Sequence, residues 1–147
     1  MEFTEYFIDE VLRMWPPATG TLARVAKEDI KIGVFSIPKG TIVGSNILGL
    51  MHNPKYYNKP EVFNPYRWTQ DKLHTKEPYA FIPFSAGPRS CIGKYVAIME
   101  TKLIIIHFLN KFKLERTDIP LRVHVKFLYE PFQENLVHLS KGGLQLP

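Results

Sequence analysis

The chain has 147 residues, 45% hydrophobic and 22% charged, the size and make-up of one ordinary folded domain, which excludes a disordered segment. Its net charge of +5 comes from scattered lysines and arginines with no basic run interleaved with aromatics, so nucleic acid is not an expected partner. One cysteine excludes an internal disulfide framework, no apolar run reaches the roughly 18 residues a membrane span needs, and Met1-Glu2-Phe3 does not open a signal peptide.

In chain order, Phe3, Tyr6 or Phe7, Val11 and Met14 recur at helical spacing and predict a helix over 3–14, which Thr4 can cap and Pro16-Pro17 end. Glu10 and Arg13 stand three apart on one of its faces, by themselves an ordinary surface ion pair. From Thr21 to Ser45 the period changes. Val25, Ile30, Ile32, Val34, Phe35, Ile37, Ile42 and Val43 predict short antiparallel strands, with a hairpin bend at Ile37-Pro38-Lys39-Gly40-Thr41. Asn46 to Met51 is expected to be a short helix, and a loop then runs through His52-Asn53-Pro54 to Phe63-Asn64-Pro65-Tyr66-Arg67-Trp68. Gln70 to Pro83 reads as a meandering loop. Val96, Ala97, Leu103, Ile104 and Leu109 predict a long helix from Gly93 to Asn110, with Ile104-Ile105-Ile106 in the core. Strands are expected at Lys113-Leu114-Glu115, Leu121 to Tyr129 and Leu136 to Leu139, with turns at Pro131 and Gln133-Glu134-Asn135. The fold class expected is α+β, without internal repeat or interdomain linker.

The chemistry concentrates in Phe84-Ser85-Ala86-Gly87-Pro88-Arg89-Ser90-Cys91-Ile92-Gly93, which holds the single cysteine. A cysteine just ahead of a helix start sits where unpaired backbone N–H groups and the helix dipole favour negative charge, as a metal-binding thiolate requires. Gly87 and Gly93 let the backbone bend tightly and approach a flat ring. Phe84 can pack beside the sulfur, and Arg89 carries a forked cation suited to a carboxylate. The plainer alternative for a lone cysteine is a buried, inert side chain.

This stretch resembles the cysteine-ligand loop of the cytochrome P-450 family, F-x-x-G-x-R-x-C-x-G, at Phe84, Gly87, Arg89, Cys91 and Gly93. The pair in Glu10-Val11-Leu12-Arg13 matches the family's E-x-x-R element, and Ala97 and Glu100 match the continuation after the cysteine. His52-Asn53-Pro54 is similar to its H-x-D-P stretch, with Asn53 where aspartate is usual. Arg67 matches the arginine of P-E-R-F or P-x-R-W, with Tyr66 in place of the frequent glutamate. The resemblance implies a haem-thiolate monooxygenase that binds haem b, with Cys91 as axial iron ligand and Phe84, Gly87, Arg89 and Gly93 around it. Arg24 and His52 are then expected at the haem propionates. Glu10, Arg13 and Arg67 become a buried carboxylate–guanidinium triad, structural rather than catalytic. Substrate is expected near Ala18, Thr19, Gly20, Thr21 and Leu22, and near Val125, Lys126 and Phe127. No other catalytic residue is expected in this chain.

The same resemblance implies electrons from NAD(P)H through a reductase or ferredoxin docked on the cysteine face near Lys94, and a small hydrophobic substrate. It covers nearly the whole chain but only the last third of a family member, so residues 1–147 are expected to be the C-terminal haem-binding part of one domain. The distal wall and its G-x-[DE]-T element are absent, which makes an isolated chain inactive on this reading. Membrane contact is expected only through the missing N-terminal part, at the endoplasmic reticulum if the full-length form is eukaryotic. Two alternatives stand beside this: a non-catalytic fragment or partner-binding remnant, and a cysteine-dependent hydrolase. The hydrolase needs a base from His52, His74, His107, His124 or His138, none of which lies in a recognisable motif.

Overall fold

The computed structural model describes residues 2–70, 77–115, 117–118, 123–125, 128–131 and 138–142. Helix α1 spans Glu2–Met14, with Glu2 and Glu5 in its first turn and Arg13 in its last, the arrangement that complements the helix dipole. It ends as expected before Pro16-Pro17. Its buried residues, however, are Ile8, Glu10 and Arg13, while Phe3 and Phe7 of the expected apolar stripe are exposed. Partners elsewhere in the chain outbid helical periodicity here by pulling a charged pair inward.

Four short strands follow in a nested order. Strands β1 (Arg24–Val25) and β4 (Ile42–Val43) pair antiparallel, and between them β2 (Ile30–Ile32) and β3 (Phe35–Ile37) form their own antiparallel ladder. The bend at 37–41 exists, with the Thr41 N–H donating to the Pro38 carbonyl at 3.2 Å, but it joins strands of different ladders. The tight hairpin lies instead at Gly33-Val34, where Ile32 faces Phe35 and Gly33 has φ of 59°. Glycine with positive φ at the first central position is what a two-residue type II′ hairpin demands.

Helix α2 (Ile47–Met51) is capped by Asn46, whose side chain accepts the Gly49 N–H at 2.8 Å. A short helix not read from the sequence, α3 (Arg67–Gln70), begins after Pro65, with Asn64 Oδ1 accepting the Tyr66 N–H. Ile47, Met51, Tyr57 and Trp68 form the buried core, with Tyr6, Tyr56, Phe81 and Ile82 packed against it. The Trp68 and Phe81 rings are 4.6 Å apart.

Helix α4 (Lys94–Lys111) carries apolar residues on all sides, and none of its residues is fully buried. The core packing expected of Ile104-Ile105-Ile106 is not made, and Ile104 is 67% exposed. Beyond it, β5 (Phe112–Glu115) pairs antiparallel with β8 (His138–Lys141), and β6 (Val123–Val125) with β7 (Tyr129–Pro131). The single strand expected over 121–129 is thus two strands paired with each other. Pro131 sits not at a turn but opposite Val123 at the end of β7. Residues 133–135, expected as a turn, lie outside the described residues. Helices with small antiparallel ladders make the chain α+β. Among the described residues no helix is long and apolar enough to cross a membrane.

Candidate functional site

The backbone from Phe84 to Gly93 folds back on itself. The Cys91 N–H donates to the Phe84 carbonyl at 2.9 Å, closing the loop around a single 3-10 turn at Gly87–Arg89. Ser85 and Gly87 make the two sharp bends, with φ of 62° and 73°. At Gly87 an added Cβ would touch nothing within 4 Å, so glycine is favoured by backbone conformation alone. Gly93 has an ordinary φ of −82°, and a Cβ there would stand 3.8 Å from the Cys91 sulfur, in normal contact. The tight bend expected of both glycines is therefore seen only at Gly87. Cys91 is exposed, and its carbonyl accepts the Lys94 N–H at 3.4 Å as α4 begins. The inert buried cysteine is not what the fold contains.

A cavity of about 530 Å³ gathers the candidate residues: Cys91, Phe84, Arg89 and Arg24, with Ala18, Gly20, Thr21 and Leu22 on its walls. Leu12, Pro17 and Leu128 add apolar surface. Arg24 arrives on β1 and Arg89 on the cysteine loop. Among the described residues neither guanidinium is engaged in an ion pair. One soft sulfur, two uncommitted guanidiniums and apolar walls fit a flat, iron-bearing ring with two carboxylates. No cluster of three His, Cys, Asp or Glu side chains able to hold a metal ion by themselves occurs among the described residues.

Other expected members lie elsewhere. His52 does not line this cavity; its Nδ1 is 3.0 Å from the Leu48 carbonyl in its own helix, so its position gives no support to a propionate contact. Thr19 is also off the cavity wall, its carbonyl taken by the Leu48 N–H. Val125 is in β6, whereas Lys126 and Phe127 lie outside the described residues. His107 has its Nδ1 against the Leu103 carbonyl, and neither it nor His138 lines the cavity, so none of His52, His107 and His138 offers Cys91 a base. His74 lies outside the described residues.

A buried ion network is centred on the Glu10 carboxylate. Arg13 donates to both of its oxygens at 3.0 Å, and Arg67 Nε donates to both at 3.0 and 3.1 Å. Two donors that sequence reasoning missed complete the set: Trp68 Nε1 at 3.1 Å and the Asn64 N–H at 2.9 Å. The outer N–H groups of the arginines go to backbone carbonyls, Arg13 to Met51 and Val62, Arg67 to Asn58, Lys59 and Val62. Tyr57 lies under Arg13, 5.2 Å from guanidinium carbon to ring centre, and its hydroxyl donates to the Ala80 carbonyl just ahead of the cysteine loop. Burial pushes the Glu10 carboxyl up, but hydrogen bonds from Arg13, Asn64 and Arg67 and the Arg13 charge outweigh it and hold it below its usual 4.5. Glu10 and Arg13 are fully buried, so their satisfaction by many donors and carbonyls, not the pairing alone, makes this arrangement stable.

A second cavity, about 760 Å³, lies between α1 and α4 and is lined by Glu5, Asp9, Lys94 and Lys102 over apolar residues such as Ile8, Phe81 and Ile98. Lys102 donates to Glu5 across it. Burial first, then the Glu5 carboxylate, raise Asp9 from 3.8 to about 6, against the pull of Lys102 and Lys94. A raised folded value means that protonated Asp9 stabilises the fold fully below 3.8, and that this contribution is lost as pH rises through about 6. Asp9→Asn removes that loss. The variant is expected to melt at higher temperature than the parent at pH 8, with the two curves converging below pH 4; a lower melting temperature at pH 8 would contradict the assignment.

Comparison with known proteins adds independent findings. The family profile described as Cytochrome P450 matches residues 1–132. Cytochrome P450 3A18 of Rattus norvegicus is 40% identical over 134 residues, 89% of this chain and 27% of its own length. Cytochrome P450 3A19 of Capra hircus aegagrus is 36% identical over 147 residues, 98% of this chain and 67% of its own length. Thromboxane-A synthase of Sus scrofa is 35% identical over 134 residues, and the chain spans 25% of its length.

Proposed function

The chain belongs to the cytochrome P450 family, and from that premise we propose that it is the haem-holding part of a haem-thiolate monooxygenase, in which the Cys91 sulfur would bind the iron. The observation that carries this reading is the cavity on which the loop of Arg89 and Cys91 and, from a separate part of the chain, Arg24 on β1 converge. When bound, thiolate-ligated haem supplies the activation of dioxygen and the transfer of one oxygen atom to an organic substrate.

The chain's own residues prepare that chemistry. Cys91 presents its sulfur from a loop closed by the Phe84 carbonyl, so little conformational freedom is lost when the ligand bond forms. Arg89 and Arg24 fit the two propionates, which orients the ring about the sulfur. Phe84 and Leu12 exclude water from that side, and the apolar stretch Ala18, Gly20, Thr21 and Leu22 suits a small hydrophobic substrate beside the ring. Exposed Lys94 near Cys91 suits an acidic redox partner, a reductase or ferredoxin passing electrons from NAD(P)H. A haem b cofactor and an endoplasmic-reticulum address belong to the same proposal, for which the eukaryotic relatives speak.

The direct test is to titrate the protein with hemin, reduce it with dithionite and add carbon monoxide. The expected result is one haem per chain and the red-shifted Soret band of thiolate-ligated haem. Uptake of haem with the spectrum of nitrogen ligation, or no uptake, would remove the proposal.

A further inference from the structure

Tyr57 lies where the Glu10 network meets the segment that feeds the cysteine loop. It is 1% exposed, and its ring faces both guanidiniums, with the Arg13 carbon 5.2 Å and the Arg67 carbon 6.0 Å from its centre. Phenylalanine would make the same ring contacts. The hydroxyl needs a separate reason, because a buried O–H without a partner is costly. It donates to the Ala80 carbonyl at 2.9 Å, 23 residues further on. Ala80 is itself 3% exposed, and among the described residues no other donor reaches that carbonyl. Burial holds the phenol well above the usual tyrosine value against the pull of both arginines, so the hydroxyl keeps its proton and remains a donor.

The bonded carbonyl begins a peptide unit whose second residue is also held. Phe81 packs against the buried core, and its ring is 4.6 Å from that of Trp68. A planar peptide fixed on both sides aims the chain in one direction. Few torsions are free beyond it. Pro83 has a fixed φ, the Ser85 N–H donates to the Ile82 carbonyl at 2.9 Å, and the Cys91 N–H donates to the Phe84 carbonyl at 2.9 Å. Pro83 and Phe84 line the same cavity as Cys91. We propose that Tyr57 is a positioning residue for the thiolate: by fixing the Ala80 carbonyl, its hydroxyl sets where the loop begins and so where the Cys91 sulfur stands in the cavity. Tyr57 lines neither cavity, so it acts only through the loop. This role rests on the reading of Cys91 as the iron ligand.

Tyr57→Phe keeps the ring and removes only the hydroxyl. Amide hydrogen exchange on the chain without haem reads the loop directly. The Ser85 and Cys91 amides should exchange at least about tenfold faster than in the parent, while the Asn64 amide, bonded to Glu10, keeps its rate. In the haem-loaded chain the red-shifted carbonmonoxy band should convert to that of a displaced thiolate about tenfold faster. Tyr57→4-aminophenylalanine, which returns a donor to the same place, should restore both rates. Tyr66→Phe, at an exposed tyrosine, should change neither. Unchanged exchange at Ser85 and Cys91 overturns the proposal. So does faster exchange that spreads equally to Asn64, which would make Tyr57 a general prop of the fold, and so does a loosened loop with an unaltered carbonmonoxy band. A parent that takes up no haem would instead end the functional proposal, and the exchange rates would still decide whether Tyr57 holds the loop.

Discussion

Cys91→Ser is expected to abolish the red-shifted carbonmonoxy Soret band entirely while leaving the fold intact. The cysteine side chain is exposed and contributes nothing to the core, and the Cys91 N–H bond to the Phe84 carbonyl is made by backbone and survives the substitution. What serine cannot supply is a soft, readily deprotonated ligand that pushes electron density to iron. Haem affinity should therefore drop, and residual haem, oriented by Arg24 and Arg89, should give the spectrum of a weak or absent axial ligand. Cys91→His separates ligand chemistry from loop geometry: it should restore haem uptake with the band of nitrogen ligation. A serine variant with the parent's carbonmonoxy spectrum would show that the sulfur is not the ligand and would end the functional proposal.

Glu10→Gln should be the most damaging single substitution for stability. An amide presents one acceptor oxygen where the carboxylate takes donors from Arg13, Arg67, Trp68 and Asn64 on two, and it leaves both guanidiniums without a counter-charge. Breaking such a network costs about 3–5 kcal/mol. For a domain of this size that is roughly 6–20 °C in melting temperature, a large share of the about 5–15 kcal/mol by which domains are stable. The pH dependence has a definite sign. Because the Glu10 carboxyl is held below 4.5, its stabilisation is present above that value and is lost as pH falls through the lower folded value. The acid limb of the parent's melting curve should therefore be steeper than that of Glu10→Gln. Glu5→Gln on the same helix, at an exposed position, should change stability by less than about 1 kcal/mol. Thermal melts across pH decide this; a Glu10→Gln protein melting within about 2 °C of the parent would show that the network is not what holds α1 to the rest.

The elements that could be read in advance share one trait. Helix α1 with its proline stop, the short helix α2, the loop from Phe84 to Gly93 and the start of α4 are each set by residues a few positions apart. Local sterics, capping and turn chemistry decide them without reference to the rest of the chain. The pair Glu10 and Arg13 was visible for the same reason, being one helical turn apart. What it was for was not visible. Arg67 came in only through family resemblance, and Trp68 Nε1, the Asn64 N–H and the Met51 and Val62 carbonyls gave no signal. The first is a side chain with many ordinary roles, and the other three are backbone groups that every residue has.

The strands show the limit from the other side. Both Gly33-Val34 and Pro38-Lys39-Gly40 carry turn residues, and both make turns. Which of them closes a hairpin depended on whether β3 pairs with β2 or with β4, a choice between partners that local propensity does not rank. Likewise α4 is apolar on every side, so its sequence predicts a helix but no preferred face, and burial could not be assigned to Ile104, Ile105 and Ile106 from periodicity.

By itself, then, the sequence determined the family and helices α1, α2 and α4, because each rests on contiguous residues whose backbone needs are met locally. Tertiary structure alone decided that Arg24 shares a cavity with the loop of Arg89 and Cys91, that Glu10 gathers four donors, and that the apolar tip at Val34-Phe35 stands out from the core. Those are meetings between distant segments, and the free energy that selects them lies in burial and desolvation, which do not exist until the chain has folded.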